Sequence, residues 1–408
     1  MRRVILHVDM NNFYASVECF LHPDWNKNMP IAVCGDAEKR HGIILAKNEP
    51  AKKKGVTTGE PIWQAEQKCP GLKCVSANYH NYTKFSTMAR QIFLRYTGKM
   101  EPFGLDEAWL DISGKNMDME RGRKTADEIR AVITRELGIT ASVGVSYNKI
   151  FAKLGSDMKK PNATTVVPQE RFREMIWNLP AGDLLYVGKS TQKKLERRGI
   201  NTIGDIARCD MGVLRRMLGK WGEILWNNAN GYNADEVASS DEAREIKSIG
   251  NSTTTPRDLV SVNDVRQALT ALSENVAMRL KKYQRRAACI QISLRFHTLE
   301  RMTRQRMLSE PTDLSIDILQ AAMGLFSSNC DLSVPIRSIG VRASELIDLR
   351  ERQMDFFIDQ KKIQAERAME TIRARFGKDA LIRASVLAEK DLTELEEGKR
   401  SIFPHSNL

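Results

Sequence analysis

The sequence contains no Cys-x-x-Cys pair. Its seven cysteines, at positions 19, 34, 69, 74, 209, 289 and 330, are scattered and odd in number, so neither a disulfide framework nor a zinc site is supported. No apolar run comes near the roughly 18 residues that a membrane span needs. After Met1-Arg2-Arg3, the apolar stretch Val4-Ile5-Leu6 is ended by His7 and Asp9, too early for a secretory leader. A cytoplasmic protein without a membrane partner is expected. Repeats at a fixed period and low-complexity tracts are missing as well, which argues against a solenoid.

What is present is a chain of 408 residues with 42% hydrophobic and 28% charged residues, the mix of a folded protein in water. That length exceeds one ordinary core and suggests about two to four domains. Lys and Arg number 63 against 51 Asp and Glu, a net charge of +12. The excess favours a polyanionic partner such as nucleic acid, although composition alone leaves an inert basic surface open.

Val4-Ile5-Leu6-His7-Val8 reads as a buried strand that delivers Asp9 at its carboxyl end. Residues 11–75 follow as short helices and loops broken by Pro23, Pro30, Gly55, Pro61 and Pro70, a small subdomain inserted after the first strand. Helical periodicity returns over 82–100. A hairpin-like stretch, 103–112, then alternates apolar with acidic residues and carries Asp106 and Glu107. A second helix over 123–137 leads into a strand over 141–146. This order suits a ferredoxin-like sheet with helices on one face.

From 167 to 240 short helices joined by Gly turns are expected. Within them 199–206 resembles the hairpin of a helix-hairpin-helix unit, whose backbone amides can hold a phosphate. Residues 233–246 are polar and acidic, as in a linker. Beyond them Ile290, Ile292, Leu294 and Phe296 alternate with Gln291, Ser293, Arg295 and His297, and Ile339, Val341 and Ala343 with Ser338, Arg342 and Ser344. Helices near 263–283 and 312–329 would cover the apolar side of that sheet.

Three carboxylates, Asp9 and the Asp106-Glu107 pair, would converge if their strands were neighbours, and such a group binds hard cations. In-line phosphoryl transfer uses two of these, about 4 Å apart. Spacing alone leaves open the plainer reading of solvated acids at strand ends.

The surrounding motifs bear on that choice. Val8-Asp9-Met10-Asn11-Asn12-Phe13-Tyr14-Ala15-Ser16-Val17-Glu18 resembles the first motif of the Y-family translesion DNA polymerases. Gly104-Leu105-Asp106-Glu107-Ala108-Trp109-Leu110-Asp111 resembles the second. Gly144–Lys149 with Ala152–Pro161 resembles the third. The resemblance runs from residue 1 to about 348, and it is to the bacterial UmuC-type and polymerase IV-like members. It implies an α+β multidomain right-hand polymerase: a ferredoxin-like palm (1–10 and 76–166), small fingers (11–75), a helical helix-hairpin-helix thumb (167–240), a linker (241–246), an α+β little-finger domain (247–348) and a C-terminal tail (349–408). The activity implied is template-directed DNA synthesis, of low fidelity and without proofreading, past damaged bases.

Carried over position by position, Asp9, Asp106 and Glu107 match the metal ligands, with the Met10 carbonyl completing one shell. Two Mg²⁺ ions are implied, with Mn²⁺ able to substitute. Tyr14 matches the steric gate against a 2′-hydroxyl. Asn12, Phe13, Lys52 and Lys160 match triphosphate-binding positions, and Ile44 and Leu45 the roof over the nascent base pair. Lys247, Arg295 and Arg342 are the DNA contacts implied for the little finger. Gln353-Met354-Asp355-Phe356-Phe357 resembles the peptide by which bacterial polymerases hold the sliding clamp, with Gln353, Met354, Phe356 and Phe357 as its anchors. Primer-template DNA, a dNTP and the clamp are thus the expected partners, for a monomer.

The sequence departs from the family in three places. Glu49 stands where a Tyr, and Lys52 where an Arg, usually meets the triphosphate, so a point charge replaces a bidentate clamp and Glu49 has no assigned contact. Asn11 replaces an acid that is not a ligand. Tyr186-Val187-Gly188 lacks the first Gly of the usual thumb hairpin. Two rival readings remain: a nucleotidyl cyclase on the same palm, and a catalytically silent DNA- or clamp-binding factor.

Overall fold

Six consecutive buried residues, Ile5–Met10, form β1. The computed structural model in which they lie describes residues 3–26, 28–36, 42–240, 245–348, 360–377 and 380–383; the candidate clamp peptide, Gln353 to Phe357, lies outside the described residues. β1 leads into α1 (Phe13–Leu21) through Asn12, whose φ of 49° is a left-handed conformation that asparagine tolerates better than most residues. The chain then builds β2 (Ile31–Cys34), β3 (Ile44–Lys47), α2 (Glu49–Lys53), α3 (Ile62–Lys68) and β4 (Lys73–Ser76), a small sheet in the order β3-β2-β4. Ala32, Cys34 and Ile44 bury against Ala51, Val56, Ala65 and Cys69. Asn48 fixes the start of α2: its side-chain oxygen accepts from the Ile31 and Ala51 amides at 3.0 and 3.1 Å, and its amide donates to the Met29 carbonyl at 2.8 Å.

α4 (Tyr79–Phe93) stops short of the expected Met100. Met100 instead opens β5 (Met100–Pro102), paired with Leu110 of β6 (Glu107–Asp111) and 5% exposed in the core. Strand pairing and burial outweigh the helical spacing there. α5 (Met119–Leu137) begins a turn earlier than the pattern suggests because Asp118 caps it, accepting from the Arg121 amide at 2.8 Å. β7 (Ala141–Ser146), α6 (Lys149–Met158) and β8 (Thr164–Val167) complete a sheet in the order β5-β6-β1-β7-β8, with β1 antiparallel to both neighbours.

Helices were expected on one face of this sheet; both faces are covered. Leu6 and Val8 share a core with Ile92 and Phe93 of α4 and with Ile129 and Ile133 of α5. The odd-numbered residues of β1 point the other way, toward α6. α6 lies so close over β7 that a Cβ on Gly144 would stand 1.9 Å from the Ala152 carbonyl oxygen. This second layer decides the site, because Asp9 is on its side.

α7 (Phe172–Ile176), α8 (Lys189–Glu196), α9 (Ile203–Arg208), α10 (Met211–Leu218) and α11 (Lys220–Ala229) pack around Leu195, Ile203, Ile206, Leu214 and Leu225. The stretch 199–206 does form a hairpin into α9, but its amides are taken. The Asp205 carboxylate accepts from the Asn201 and Thr202 amides at 3.1 and 2.9 Å, closing a capping box, so the expected phosphate contact at those amides is replaced by an internal one. At the other hairpin Tyr186, in place of the usual Gly, adopts φ 75° at a cost of about 1–2 kcal/mol, and its half-exposed ring lies 5.3 Å from that of Trp221.

Residues 233–240 do not behave as a free linker. Val237 is 2% exposed against Ile5, Trp109 and Ala152, and Arg3 donates to the Asp235 carbonyl at 2.6 Å. One valine and a set of backbone hydrogen bonds give no periodic signal, which is why composition suggested a tether.

A second unit, within Glu245–Ser401, forms separately. β9 (Ser248–Leu259), α12 (Val262–Lys282), β10 (Arg285–Phe296), β11 (Arg301–Thr312), α13 (Ser315–Asn329) and β12 (Ile336–Asp348) make an antiparallel sheet in the order β11-β10-β12-β9 with both helices on its apolar face. β10 and β12 alternate as expected. The two edge strands were missed: β11 is almost wholly exposed, and β9 carries Gly250 and Pro256, which an edge tolerates. α14 (Gln360–Phe376) follows and is tied to the helical layer by Glu366, which accepts from the Ser315 amide at 2.6 Å and pairs with Lys281 at 2.5 Å.

Candidate active site

Asp9 and Glu107 are direct partners across β1 and β6, and the Met10 amide donates to the Asp106 carbonyl at 2.9 Å. The turn that ends the β5–β6 hairpin is thereby stitched to the end of β1, and residues 9, 106 and 107 meet at one end of the sheet. Two lysines stand among them. Lys153 Nζ is 2.8 Å from Glu107 Oε2 and 3.4 Å from Asp9 Oδ2. Lys160 Nζ is 2.7 Å from Asp9 Oδ2 and 2.8 Å from Asp157 Oδ1. Beneath Glu107, fully buried His7 sets Nε2 at 3.2 Å from Oε2 and Nδ1 at 2.8 Å from the Ser156 hydroxyl.

The electrostatics follow from this crowding. Burial and the Glu107 charge push the Asp9 carboxyl up to about 6, and burial with both neighbouring acids pushes Asp106 up to about 7. Burial also opposes ionisation of Glu107, but His7 and Lys153 outweigh it and hold this carboxyl down at about 2. Burial lowers His7 to about 4, leaving it neutral at physiological pH. Lys153 belongs to the third motif and His7 to the first strand, but the sequence assigns neither a role. Their signals were faint: residues 153, 157 and 160 recur at near-helical spacing, and His7 shares a strand face with Asp9.

Asn11 is buried and acts as an anchor. Its Oδ1 accepts from the Asn162 amide at 2.8 Å and its Nδ2 donates to the Ser142 hydroxyl at 3.0 Å, which holds the loop bearing Lys160 against β1. Tyr14 stacks on Tyr82 with ring centroids 4.3 Å apart at 12°, and the Tyr82 hydroxyl donates to Glu18 at 2.6 Å. Phe13 is 3% exposed behind it. The Asn12 amide donates to Glu49 Oε1 at 3.0 Å, and Lys52 Nζ lies 3.7 Å from the same oxygen. Ile44 departs from expectation: it is fully buried in the core of the small sheet and cannot roof a base pair from there. Leu45 is partly exposed, at an irregularity of the β2–β3 pairing. A bulge re-aims side chains in this way.

A family model described as the impB/mucB/samB family matches residues 8–157, its C-terminal domain residues 246–356, and a thumb-domain model described for DNA polymerase-iota residues 182–233. The DNA polymerase IV of Acetivibrio thermocellus is 48% identical over 400 residues, covering 97% of this chain and 100% of that one. The chain belongs to the Y-family of DNA polymerases. The DNA polymerase IV of Bacillus velezensis is 33% identical to this Y-family polymerase, over 95% of the chain and 94% of its own length. Among solved structures, a Y-family polymerase chimera of Dbh and Dpo4 is 26% identical with a TM-score of 0.75, covering 85% of this chain and 99% of that one. The Y-family polymerase is thus a DNA-directed DNA polymerase of the translesion class with a right-hand fold, and the cyclase and silent-factor readings fall away.

In the second unit of the Y-family polymerase, the sheet face away from the helices is polar. Across β10 and β12 Gln291 lies beside Arg342, Ser293 beside Gly340 and Arg295 beside Ser338. A Cβ on Gly340 would meet the Ser293 hydroxyl at 2.6 Å, so the face is low and close-set there. Arg342 and Lys247 are exposed, and Arg295 is half-buried with its Nε unpartnered. Among the described residues, no helix is long and apolar enough to cross a membrane.

Proposed function

We propose that this polymerase copies past damaged bases by two-metal nucleotidyl transfer at Asp9, Asp106 and Glu107, and that it does so with low fidelity and without proofreading. The observation that carries the reading is the pairing of Asp9 with Glu107 beside the stitched Met10–Asp106 turn. Among the described residues no three such side chains already close into a metal cage. The donors nevertheless fit hard divalent cations: they are carboxylates of which two are raised by burial and by the charge of their acidic neighbours, a repulsion that bound cations relieve. Mg²⁺, with Mn²⁺ as a substitute, suits such a set. When bound, the two ions supply the charge that favours the ionised primer hydroxyl and neutralises the departing pyrophosphate.

The chain's own residues do the rest. Asp9, Asp106, Glu107 and the Met10 carbonyl hold the cations. Tyr14, braced by Tyr82, walls off the sugar. The Asn12 side chain, the Phe13 amide, Lys52 and Lys160 hold the triphosphate, and the cations among them favour a polyanionic leaving group. Leu45 roofs the nascent pair. The subdomains are assigned as palm 1–10 and 76–166, fingers 11–75, thumb 167–240 and little finger 247–348. Primer extension with Mg²⁺, on intact and damaged templates, tests the whole reading.

Lys247, Arg295 and Arg342 are assigned to the DNA backbone, contacts that give affinity without sequence information. Binding is expected to weaken steeply with salt, and Lys247→Ala or Arg342→Ala to reduce the slope of log Kd against log salt by about one each. Slopes unchanged from the parent in both variants would remove them from the interface. The peptide at 353–357 is assigned to the sliding clamp. Deleting it should lower extension only on clamp-loaded DNA; equal stimulation by clamp with and without the peptide would refute the assignment.

A further inference from the structure

Glu49 has a chemistry that opposes its surroundings. It is a carboxylate at the N-terminal position of α2, in a place otherwise fitted for anions. Its Oε1 accepts from the Asn12 side-chain amide at 3.0 Å and faces Lys52 Nζ at 3.7 Å, and the side chain keeps a third of its surface exposed. Lys47 is close by, donating to Thr58 at 3.0 Å, and burial followed by the like charge of Lys52 pushes its pKa down. Both groups that Glu49 engages are those assigned above to the triphosphate. Asn48 holds the helix start rigidly through three hydrogen bonds, so Glu49 is not a wandering surface acid.

We propose that Glu49 is a resident anion that occupies Asn12 and Lys52 until a nucleoside triphosphate displaces it, so that its charge sets a weak affinity for the incoming nucleotide. The inference rests on the assignment of Lys52 to the triphosphate. A phosphate carries more charge than a carboxylate and outcompetes it for the same donors. The exchange must be repaid from nucleotide binding, because groups already paired contribute only the difference between two partners. After exchange the carboxylate faces solvent, and its remaining repulsion toward the triphosphate acts on binding rather than on the chemical step.

The test is single-nucleotide incorporation by the full-length protein on a primer-template with Mg²⁺, titrating dNTP for the parent, Glu49→Gln, Lys52→Ala and the double variant. Gln keeps an oxygen that can accept from Asn12 and removes only the charge. Glu49→Gln is expected to lower KM for dNTP about two- to fivefold, the range of an exposed ion pair, with kcat within about twofold. Lys52→Ala should raise KM, and Glu49→Gln in the Lys52→Ala background should have a clearly smaller effect than alone. Inorganic tripolyphosphate should inhibit Glu49→Gln at lower concentration than the parent. A KM that rises or does not move in Glu49→Gln, with Lys52→Ala impaired, overturns the exchange and leaves the Lys52 assignment standing. An unchanged KM in Lys52→Ala overturns that assignment and the exchange together.

Discussion

Asp106→Ala is expected to reduce primer extension by at least about a thousandfold while DNA affinity stays within about twofold, the scale seen when a group that stabilises transition-state charge is removed. Asp106 is set at the end of the β5–β6 hairpin by its own carbonyl, which accepts from the Met10 amide. That bond uses backbone only, so the substitution deletes a carboxylate without loosening the turn. A second readout is thermal. Asp9 and Asp106 are raised to about 6 and about 7 from an ordinary 3.8, so in the cation-free protein their ionisation costs folding stability as pH climbs from about 4 to about 7. Glu107, held at about 2, opposes this only as pH falls below its ordinary 4.5. Mg²⁺ competes with protons for the raised pair, so it should raise the Tm more at pH 8 than at pH 6. In Asp106→Ala that increment should shrink. Near-normal extension by the variant, or an Mg²⁺ increment the same at both pH values, would count against the three-carboxylate site.

Tyr14→Ala should raise ribonucleotide incorporation relative to deoxyribonucleotide by on the order of a hundredfold, because discrimination here is a steric clash built against one extra hydroxyl. The ring is well suited to the task. It is clamped face-on by Tyr82 and edge-on by Tyr79 at 5.9 Å, and Tyr82 is itself pinned by Glu18, so the wall cannot swing aside without breaking a buried hydrogen bond. Tyr14→Phe keeps the ring and should keep the discrimination, which separates a gate from a general loss of packing. Competitive incorporation of matched nucleotides measures the ratio; equal sugar selectivity in Tyr14→Ala and the parent would place the gate elsewhere.

Much of the site was legible because its residues sit within contiguous motifs. Residues 8–18, 104–111 and 144–161 each keep local order, and a strand end followed by a helix places Asp9 and Tyr14 with little help from the rest of the chain. The elements that escaped had no periodic signal to give. β11 is exposed over most of its length, with Met302 and Leu308 only partly buried, β9 contains a proline and a glycine, and residues 233–240 are held by one buried valine and by backbone atoms. The helix expected to reach Met100 failed because a strand partner, Leu110, lies ten residues further on. Ile44 and Leu45 looked equivalent as bulky neighbours, yet strand alternation and a bulge put one in the core and the other at the surface.

By itself the sequence determined the three acids, the tyrosine proposed as the gate, the basic balance and the alternation of β10 and β12, because each is a matter of residue identity or of near neighbours along the chain. The tertiary structure decided what those residues meet. Packing α6 against the second face of the five-stranded sheet is possible only because position 144 carries no side chain, and it brings Lys153 and Lys160 onto Asp9 and Glu107 from more than forty residues away. Charge coupling of that kind depends on distance in space, which a linear pattern does not encode.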